Sequence, residues 1–241
     1  MRKLVIIPTY NEKENISAMI DKVFSLPEAF EMLVIDDGSP DGTAAIVKKR
    51  QQEFPATLHL LERSGKQGLG TAYLTGFRWG LDNGFDYICE MDCDFSHNPD
   101  DLVRLYQAAA EGNDVVVGSR YVQGVSVVNW PMSRLLMSSF ASMYVRIVTR
   151  MPLRDATAGF VCYSRHALET IDLDAVKMKG YGFQIEMKYS AWRLGMRLKE
   201  VSIIFVERRE GTSKMSGGIF REAFFGVLGL PLRKIRAAKK A

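Results

Sequence analysis

The chain has 241 residues, of which 47% are hydrophobic and 25% charged, and its formal net charge is +4. This length supports one domain with a real core, and the composition is that of an ordinary globular protein, which excludes a low-complexity chain. The three cysteines form no Cys-x-x-Cys pair, so a disulfide framework is not expected.

Neither a signal peptide nor a membrane-spanning helix is expected. The apolar run Leu4–Ile7 stops at Pro8, and no run approaches the roughly 20 apolar residues that a bilayer requires. The basic residues are unevenly placed, because no acidic residue occurs from Val115 to Arg154 or after Glu222. Such basic stretches suit phosphate ligands, nucleic acid or an anionic membrane surface.

The first half of the chain alternates short apolar runs with helical patterns. Continuous apolar runs are typical of strands buried on both faces, and the alternation predicts an α/β fold with a mostly parallel sheet flanked by helices. The predicted strands are Leu4–Pro8, Met32–Ile35, Leu58–Leu61, Tyr87–Met91 and Val115–Gly118. The predicted helices are Glu14–Leu26, Asp41–Phe54, Thr71–Asn83 and Asp100–Glu111, the last with Asn98 as N-cap and Pro99 at its first position.

The second half is less regular. Helices are predicted over Pro131–Met151 and Phe183–Gly195, and a late strand over Leu198–Val206, whereas residues 155–160 form a polar loop of small residues. From residue 218 onward the pattern is that of a basic, amphipathic tail. We therefore expect a globular domain over residues 1–216 and a basic, amphipathic tail over residues 217–241.

Polar clusters follow four of the predicted strands. They are Pro8-Thr9-Tyr10-Asn11-Glu12, Asp36-Asp37-Gly38-Ser39, Asp92-Cys93-Asp94 and Gly118-Ser119-Arg120. In open parallel sheets ligands bind beyond the carboxyl ends of the strands. The four clusters are therefore expected to converge on one edge of the sheet.

Each cluster also has a plain structural interpretation. Residues i and i+2 of a strand point the same way, so Asp92 and Asp94 could share one hard cation, but they could equally be acidic turn residues. Asp36-Asp37 could accept hydrogen bonds from a nucleoside, or could form an Asx turn before a helix capped near Asp41. Arg120 and Arg134 suit phosphate capture, yet either alone could be a solvated surface arginine.

Residues 63–70 resemble a phosphate-binding loop only superficially. This stretch lacks the Gly-Lys-Ser/Thr ending of a P-loop and the full G-x-G-x-x-G pattern. We expect its glycines to let a helix approach the sheet. His97, close to the acidic pair, is interpreted as a supporting or packing residue.

The ordered set of motifs resembles the family 2 glycosyltransferases of the GT-A fold, and among them the dolichyl-phosphate (polyprenyl-phosphate) mannosyltransferases. The resemblance runs from about Leu4 to Met215. Besides the four clusters, the third of which extends to Asp-Cys-Asp-Phe-Ser-His-Asn-Pro, it rests on three further motifs: Asp-Ala-Thr-Ala-Gly-Phe, Gly-Tyr-Gly-Phe-Gln, and Ser213-Lys214-Met215 with Arg208 before it. It implies a GT-A, Rossmann-like sheet and an inverting transfer of mannose from GDP-mannose to dolichyl or polyprenyl phosphate.

The resemblance also assigns residues to the donor. The guanosine would be held by Pro8, Tyr10, Glu12, Ile35 and Asp37. Mg²⁺ or Mn²⁺ and the diphosphate would be held by Asp92, the backbone of Cys93, and Asp94, with the donor also reached by Arg208 and Lys214. Ser96 is a weaker metal candidate, because close relatives often carry Gln at its position.

On the acceptor side, the resemblance assigns the phosphate to Arg120, Arg134 and Ser138. Asp94, Arg120 and Arg134 are then the residues expected to carry catalysis. A phosphate acceptor is already anionic and needs no general base. Glu186 would become a candidate base only if the acceptor were a sugar hydroxyl.

Two alternative functions remain at this point. The same fold could use a UDP-sugar for glucosyl or GlcNAc transfer, or the chain could be a non-catalytic nucleotide- or lipid-binding module. Nucleic acid is not an expected partner, since only the basic tail suggests it. The tail and the helix Pro131–Met151 are expected to dock on the cytoplasmic leaflet, making the protein peripheral on the cytoplasmic face of the membrane. The alternative is that they pack in the core and that the tail is solvated.

Overall fold

The computed structural model describes residues 1–180, 182–207 and 224–238. Its strands within these ranges are β1 Lys3–Thr9, β2 Glu31–Asp36, β3 Leu58–Glu62, β4 Tyr87–Glu90, β5 Val115–Ser119, β6 Val127–Val128, β7 Val161–Ser164, β8 Leu198–Ser202 and β9 Phe205–Val206. Its helices are α1 Ile16–Phe24, α2 Thr43–Arg50, α3 Leu69–Asp82, α4 Asp101–Ala110, α5 Met132–Thr149, α6 Arg165–Thr170 and α7 Gly182–Arg193. Residues 224–229 are also helical.

Seven strands form one sheet in the order β3-β2-β1-β4-β7-β5-β8. Every pairing in it is parallel except those of β7, which runs antiparallel to both β4 and β5. The mostly parallel α/β sheet expected from the sequence is confirmed, and all the strands and helices predicted in the first half are present with their ends shifted by a few residues. Strand β7 was not predicted.

Two details differ from the sequence-based expectation. Helix α4 begins at Asp101 with Asp100 in the cap position, and the side chain of Asn98 instead accepts a hydrogen bond from the Asp100 amide at 3.1 Å. The late strand is broken at residues 203–204, so that β8 extends the main sheet while β9 pairs with β6 in a separate two-stranded sheet.

Side chains alternate between two apolar layers along the buried strands, as the period of two requires. In β1, Leu4 and Ile6 face the layer that contains α3, α6 and α7, whereas Val5 and Ile7 face the layer that contains α1, α2 and α4. All four side chains are fully buried. The core therefore lies on both faces of the sheet and leaves only the strand ends open to a ligand.

Glycines bring helix α3 close to its neighbours. A Cβ on Gly76 would lie 2.7 Å from the Ile6 side chain, and one on Gly80 would lie 2.6 Å from Ile88. Gly70, at the start of α3, makes its close approach to Phe183 of α7 and not to the sheet. The expectation that the glycines of residues 63–70 let a helix approach the sheet is therefore wrong, because the glycines that meet the sheet, Gly76 and Gly80, lie further along α3.

The described part of the C-terminal segment packs back onto the domain. Val227 and Leu230 are buried in the core layer of α3, α6 and α7. The Tyr144 hydroxyl of α5 donates to the Phe224 carbonyl at 2.9 Å, and the Ala238 amide donates to the Thr170 carbonyl at 2.9 Å. The expected domain boundary after residue 216 lies outside the described residues. In the described ranges, no helix combines the length and the apolar character needed to cross a bilayer.

Replacing Gly76 by alanine is expected to destabilise the protein. The added methyl would overlap Ile6 and Ile35 in a fully packed layer, and overpacking of this kind costs about 1–3 kcal/mol. Urea unfolding followed by circular dichroism measures the change. Gly229→Ala is the matched control, because Gly229 has right-handed helical backbone angles and an added Cβ would meet no atom within 4 Å. Equal stability of Gly76→Ala and wild type would contradict the packing argument.

Candidate active site

The polar strand ends meet at one edge of the sheet. Strands β1, β2, β4 and β5 run the same way, so their carboxyl ends lie on the same side. Because β7 runs the opposite way, the loop of residues 155–160 that precedes it reaches this edge too. The Gly118 amide donates to the Phe160 carbonyl at 2.8 Å, which joins that loop to the end of β5.

The two neighbouring aspartates after β2 have different partners. Asp36 accepts hydrogen bonds from Thr9 Oγ1 at 2.9 Å and from the amide and hydroxyl of Ser39 at 2.8 and 2.6 Å. The Asx-turn interpretation is therefore right for Asp36. Asp37 pairs through Oδ1 with Arg63 at 2.6 Å. Sequence reasoning missed Arg63, although it opens the glycine-rich loop.

The remaining donor-side candidates lie around this pair. Ile35 is fully buried, and its side chain packs beside Gly76, so a contact with a nucleoside would have to come from its backbone. Tyr10 is half-buried with the Lys66 ammonium 5.4 Å from its ring centroid. The Glu12 amide donates to Thr43 Oγ1 at 3.0 Å. Pro8, half-buried, pairs with Ile35 in the parallel register of β1 and β2.

The acidic motif lies in a turn and not on the strand. Strand β4 ends at Glu90, and Phe95 has a positive φ of 57°, which is unusual for a bulky residue and reverses the chain after Asp94. Asp94 is buried and accepts from the Ser96 amide at 3.1 Å, whereas the Asp92 side chain is 41% exposed. The strand-alternation argument for this pair is therefore wrong; the turn places the carboxylates.

The charges of Asp92 and Asp94 nevertheless influence the same buried side chain, that of Tyr73. Burial raises the pKa of the Tyr73 phenol well above its usual value, and the charges of Asp92, Glu90 and Asp94 raise it further. Cys93, between them, is buried with its side chain in the core, which leaves only its backbone to meet a ligand.

The donor set at this turn suits a cation that is shared with a ligand. Within the described ranges, no three His, Cys, Asp or Glu side chains converge to form a protein-only metal cage. Mg²⁺ is commonly held by one or two carboxylates together with substrate phosphates, and Asp92 and Asp94 supply that number of carboxylates. The side chain of Ser96, the weaker metal candidate, is buried.

His97 is a packing residue in this structure. Its ring stacks on Phe160 with centroids 5.0 Å apart and meets Phe205 edge-on at 5.2 Å. Burial lowers its pKa to about 4, so the ring is neutral near pH 7. The interpretation as a supporting residue agrees with these contacts.

On the other side of the edge, Arg120 is held by a fully buried carboxylate. Its Nε and Nη2 donate to the two oxygens of Asp155 at 2.7 and 2.6 Å, its amide donates to Asp155 at 3.0 Å, and Nη2 also donates to Thr157 at 2.9 Å. The pKa of Asp155 is lowered: burial opposes ionisation, but the charge and hydrogen bonds of Arg120 outweigh it. Asp155 thus fixes the guanidinium in one orientation. Sequence reasoning placed Asp155 in a loop without assigning it this role.

Arg134 is held differently. It forms an ion pair with Glu207, and both side chains are about one-third exposed (33% and 31%). The Trp130 ring lies between the two arginines, 4.3 Å from Arg134 and 5.6 Å from Arg120, measured from guanidinium carbon to ring centroid. Ser138, the third acceptor candidate, accepts from the Tyr121 hydroxyl at 2.8 Å. The three predicted acceptor residues therefore lie on or beside one aromatic surface.

Two other predictions have separate outcomes. Glu186 is buried; its Oε2 accepts from the amides of Lys177 and Met178 at 3.0 and 2.8 Å, and its Oε1 pairs with Arg233 at 2.5 Å. It is thus engaged in anchoring the C-terminal segment.

Arg208 and Lys214 lie outside the described residues. The preceding strand β9 reaches the acidic turn, where the Val206 amide donates to the Ser96 carbonyl at 3.1 Å.

Comparisons with known proteins identify a family and close relatives. The sequence profile of Glycosyl transferase family 2 matches residues 4–172. A polyprenol monophosphomannose synthase of Mycolicibacterium smegmatis is 47% identical over 226 residues, covering 94% of this chain and 85% of that protein. An undecaprenyl-phosphate mannosyltransferase of Micrococcus luteus is 48% identical over 227 residues, covering 94% of this chain and 93% of that protein.

Solved structures share the fold at low identity. Glucosyl-3-phosphoglycerate synthase from Mycobacterium tuberculosis, in complex with Mn²⁺, UDP and glucosyl-3-phosphoglycerate, superposes with a TM-score of 0.71 at 19% identity, over 95% of this chain and 79% of that one. The same enzyme with Mg²⁺ and UDP gives a TM-score of 0.70 at 18% identity, with the same coverage. The expected GT-A architecture is confirmed.

Asp155→Asn is expected to destabilise the protein strongly. The substitution leaves Arg120 partly buried without its counter-charge, and breaking a buried pair costs about 3–5 kcal/mol. Because the pKa of Asp155 is lowered on folding, its stabilisation in wild type is present above the unfolded pKa and is lost as the pH falls through the folded one. Urea unfolding across acidic pH should therefore show a flatter acid limb for the variant. Glu111→Gln, which removes an exposed pair with Lys199, should change stability little; a similar small change for Asp155→Asn would refute the argument.

Proposed function

The chain is a glycosyltransferase of family 2, and we propose that it transfers mannose from GDP-mannose to the phosphate of a polyprenyl phosphate such as dolichyl phosphate. The names of the two relatives that are almost half identical to it support this acceptor and this sugar. The structural observation that carries the proposal is the acceptor side itself. It presents two arginines, Arg120 and Arg134. The carboxylates that contact them, Asp155 and Glu207, are both engaged in ion pairs, so neither is available as a general base for an acceptor hydroxyl.

An anionic acceptor suits this arrangement. A phosphate oxygen attacks C1 of the mannosyl group, the bond from C1 to the diphosphate oxygen breaks, and its electron pair leaves with the diphosphate; no proton has to be removed from the nucleophile. Arg120, oriented by Asp155, and Arg134 would bind the acceptor phosphate. Guanidinium groups provide planar pairs of donors for phosphate oxygens. With the phosphate fixed beside the sugar, the reaction gains the advantage of proximity.

On the donor side, Asp37 and the ends of β1 and β2 would bind the nucleoside, while Asp92, Asp94 and the backbone of Cys93 would hold the diphosphate end. A divalent cation, Mg²⁺ or Mn²⁺, bound by the two carboxylates would supply neutralisation of the negative charge that develops on the departing diphosphate. Mg²⁺ is commonly bound by one or two carboxylates together with substrate phosphates, so the two carboxylates of this turn support the assignment. The complexes of the M. tuberculosis synthase contain UDP, which keeps a UDP-sugar as the rival donor.

A lipid acceptor requires access to a membrane, and helix α5 carries a suitable surface. Five large apolar side chains, between 49% and 70% exposed, follow one face of the helix at spacings of three and four residues: Met132, Leu136, Phe140, Met143 and Ile147. Phe224, Phe225, Leu228 and Leu232 of the C-terminal segment are also exposed, and Phe224 stacks on Tyr144 of α5 at 4.9 Å. We define these nine exposed side chains as the apolar surface.

Basic side chains accompany the apolar surface. Arg146 on α5, Arg150 directly after it, and Lys234 and Arg236 in the C-terminal segment are exposed. An apolar face bordered by Lys and Arg is typical of elements that lie in the interface of an anionic membrane. This supports a peripheral position of the enzyme, which we place on the cytoplasmic leaflet.

The donor and the metal can be tested together. With labelled GDP-mannose, Mg²⁺ or Mn²⁺ and a polyprenyl phosphate, wild type should form a lipid-linked mannosyl phosphate, and chelation should stop it. Asp94→Asn should lower turnover on the order of 100-fold or more, because the departing diphosphate loses its charge neutralisation, whereas circular dichroism should be unchanged. Glu111→Gln serves as the surface control. Product from UDP-glucose or UDP-GlcNAc with none from GDP-mannose would overturn the donor assignment, and undiminished turnover of Asp94→Asn would overturn the metal role.

The membrane surface is best tested on α5. A truncation after residue 216 would also remove Val227 and Leu230 from the core, so the double variant Phe140→Ser with Ile147→Ser is cleaner. We expect its co-sedimentation with vesicles that contain anionic lipid to fall roughly tenfold or more, because each large apolar side chain contributes about 1.5–3 kcal/mol when it leaves water.

The control for this experiment is Ala110→Ser, an exposed position on α4 in the opposite layer. Its vesicle binding should equal that of wild type, and turnover of a short, water-dispersed polyprenyl phosphate should be similar in all three proteins. If the double variant sedimented with vesicles as wild type does, α5 would not be a membrane-binding element.

A further inference from the structure

A buried polar cluster lies directly beneath the site and takes no part in the proposed reaction. Its members are Glu90 at the end of β4 and Gln184 and Lys188 on α7, each at most 1% exposed. Gln184 donates to Glu90 Oε2 at 2.7 Å, and its side-chain oxygen accepts from Lys188 Nζ at 3.2 Å. One amide therefore joins a buried carboxyl group to a buried ammonium group.

Lys188 directs its ammonium group at the loop of residues 155–160. Besides the contacts with Gln184, Nζ donates to the carbonyls of Ala158 at 2.6 Å and Ala156 at 3.2 Å. An ammonium group removed from water is costly unless its donors are used, and these contacts use them. Burial lowers the pKa of Lys188 to about 8, against the opposing influence of the Glu90 and Asp155 charges. A lysine at this place is expensive for the fold, and an apolar side chain could have filled the same volume.

The two carbonyls that Lys188 binds lie on either side of Thr157. Thr157 and Asp155 are the residues that receive hydrogen bonds from the Arg120 guanidinium. The start of the loop is held by Glu200 of β8, which accepts from the amides of Arg154 and Asp155 at 2.8 and 2.9 Å. Glu200 thus holds the beginning of the loop, and Lys188 holds the residues that follow it.

The same cluster also touches the acidic turn. Glu90 stands two residues before Asp92, and its Oε1 has no hydrogen-bond partner among the described residues; the same is true of the hydroxyls of Tyr73 and Tyr163. Buried polar atoms that lack a protein partner are commonly satisfied by ordered water. Lys188 therefore has two routes to the chemistry: one through the loop to Arg120, and one through Gln184 and Glu90 to the turn. The first is the shorter, because Lys188 bonds directly to residues that adjoin Asp155 and Thr157, whereas the second needs two successive hydrogen bonds before it reaches Glu90.

We propose that Lys188 is a positioning residue for the acceptor phosphate: by holding the carbonyls of Ala156 and Ala158 it sets the place of Asp155 and Thr157, and through them the orientation of the Arg120 guanidinium. Lys188 itself touches no substrate. The proposal rests on the proposed function in one respect, namely that Arg120 meets the acceptor.

The test is a double-mutant cycle in the full-length enzyme. Lys188→Met keeps the length of the side chain and removes the ammonium donors, and Arg120→Lys keeps the charge and removes the paired guanidinium geometry. In the otherwise wild-type enzyme, Lys188→Met should lower kcat/KM for polyprenyl phosphate about 10- to 100-fold, as small misplacements of a binding group do. The KM for the nucleotide sugar should change less than about twofold, since this route leaves the donor side intact. In the Arg120→Lys background, adding Lys188→Met should change kcat/KM little, because residues that act through one another are not additive.

The alternatives give different results. If Lys188→Met lowers kcat/KM by the same factor in both backgrounds, Lys188 only stabilises the fold and the proposal is wrong. If the KM for the nucleotide sugar rises as much as that for the acceptor, the route through Glu90 dominates and the proposal is also wrong. The cycle is run with whichever nucleotide sugar wild type uses, so failure with GDP-mannose alone affects the proposed donor and not this inference. If Lys188→Met does not fold, Lys188→Gln replaces it, because glutamine retains two N–H donors without the charge. Its effect on kcat/KM should again be much smaller in the Arg120→Lys background.

Discussion

The reversed direction of β7 is the constraint on which the site depends. In a wholly parallel sheet the segment before a strand lies at the opposite edge from the ligand. Because β7 is antiparallel to β4 and β5, the segment before it instead reaches the ligand edge between the acidic turn and the end of β5. That segment delivers Asp155, a fully buried carboxylate, to Arg120. The acidic turn after β4 and the arginine after β5 are thus connected by one inserted strand and one buried ion pair.

The sequence predicts much of this arrangement and misses its connecting strand for physical reasons. Continuous apolar runs locate β1 to β5, and polar residues after them locate the ligand edge, because both features are local. Strand β7 has only four residues and follows a loop of small residues, and no local pattern shows that a strand will insert between β4 and β5 in the opposite direction. The roles of Asp155 and Lys188 follow from that insertion. A lysine in a helix usually indicates a solvated face, so its burial here is visible only once α7 is packed under the loop.

The two arginines assigned to the acceptor differ in the burial of the ion pair that orients each guanidinium group. Arg120 has a fully buried partner, so its orientation is set before any ligand arrives. Arg134 has a partner that is itself one-third exposed, and an exposed ion pair is worth little, about 0–1 kcal/mol. An incoming phosphate can therefore replace Glu207 at small cost, but it cannot replace Asp155 without leaving a buried charge unpaired. We infer that Arg120 sets the position of the acceptor phosphate while Arg134 adapts to it, with Trp130 keeping the two guanidinium groups apart.

Helix α5 carries both kinds of side chain that a lipid phosphate would require: polar groups for the phosphate and apolar groups for the lipid. Arg134 and Ser138, four residues apart, lie on a half-buried part of the helix near the Trp130 and Tyr121 side chains. Phe140 and Ile147 lie on the exposed stripe of the same helix. The acceptor has the same division, an anionic head on an apolar chain. A helix that offers cationic and hydroxyl groups toward the site and an apolar stripe toward its surroundings can bind the head while the chain remains in the membrane. Because both sets of side chains belong to one rigid helix, docking of the stripe on a bilayer would fix the distance between the lipid phosphates and Arg134.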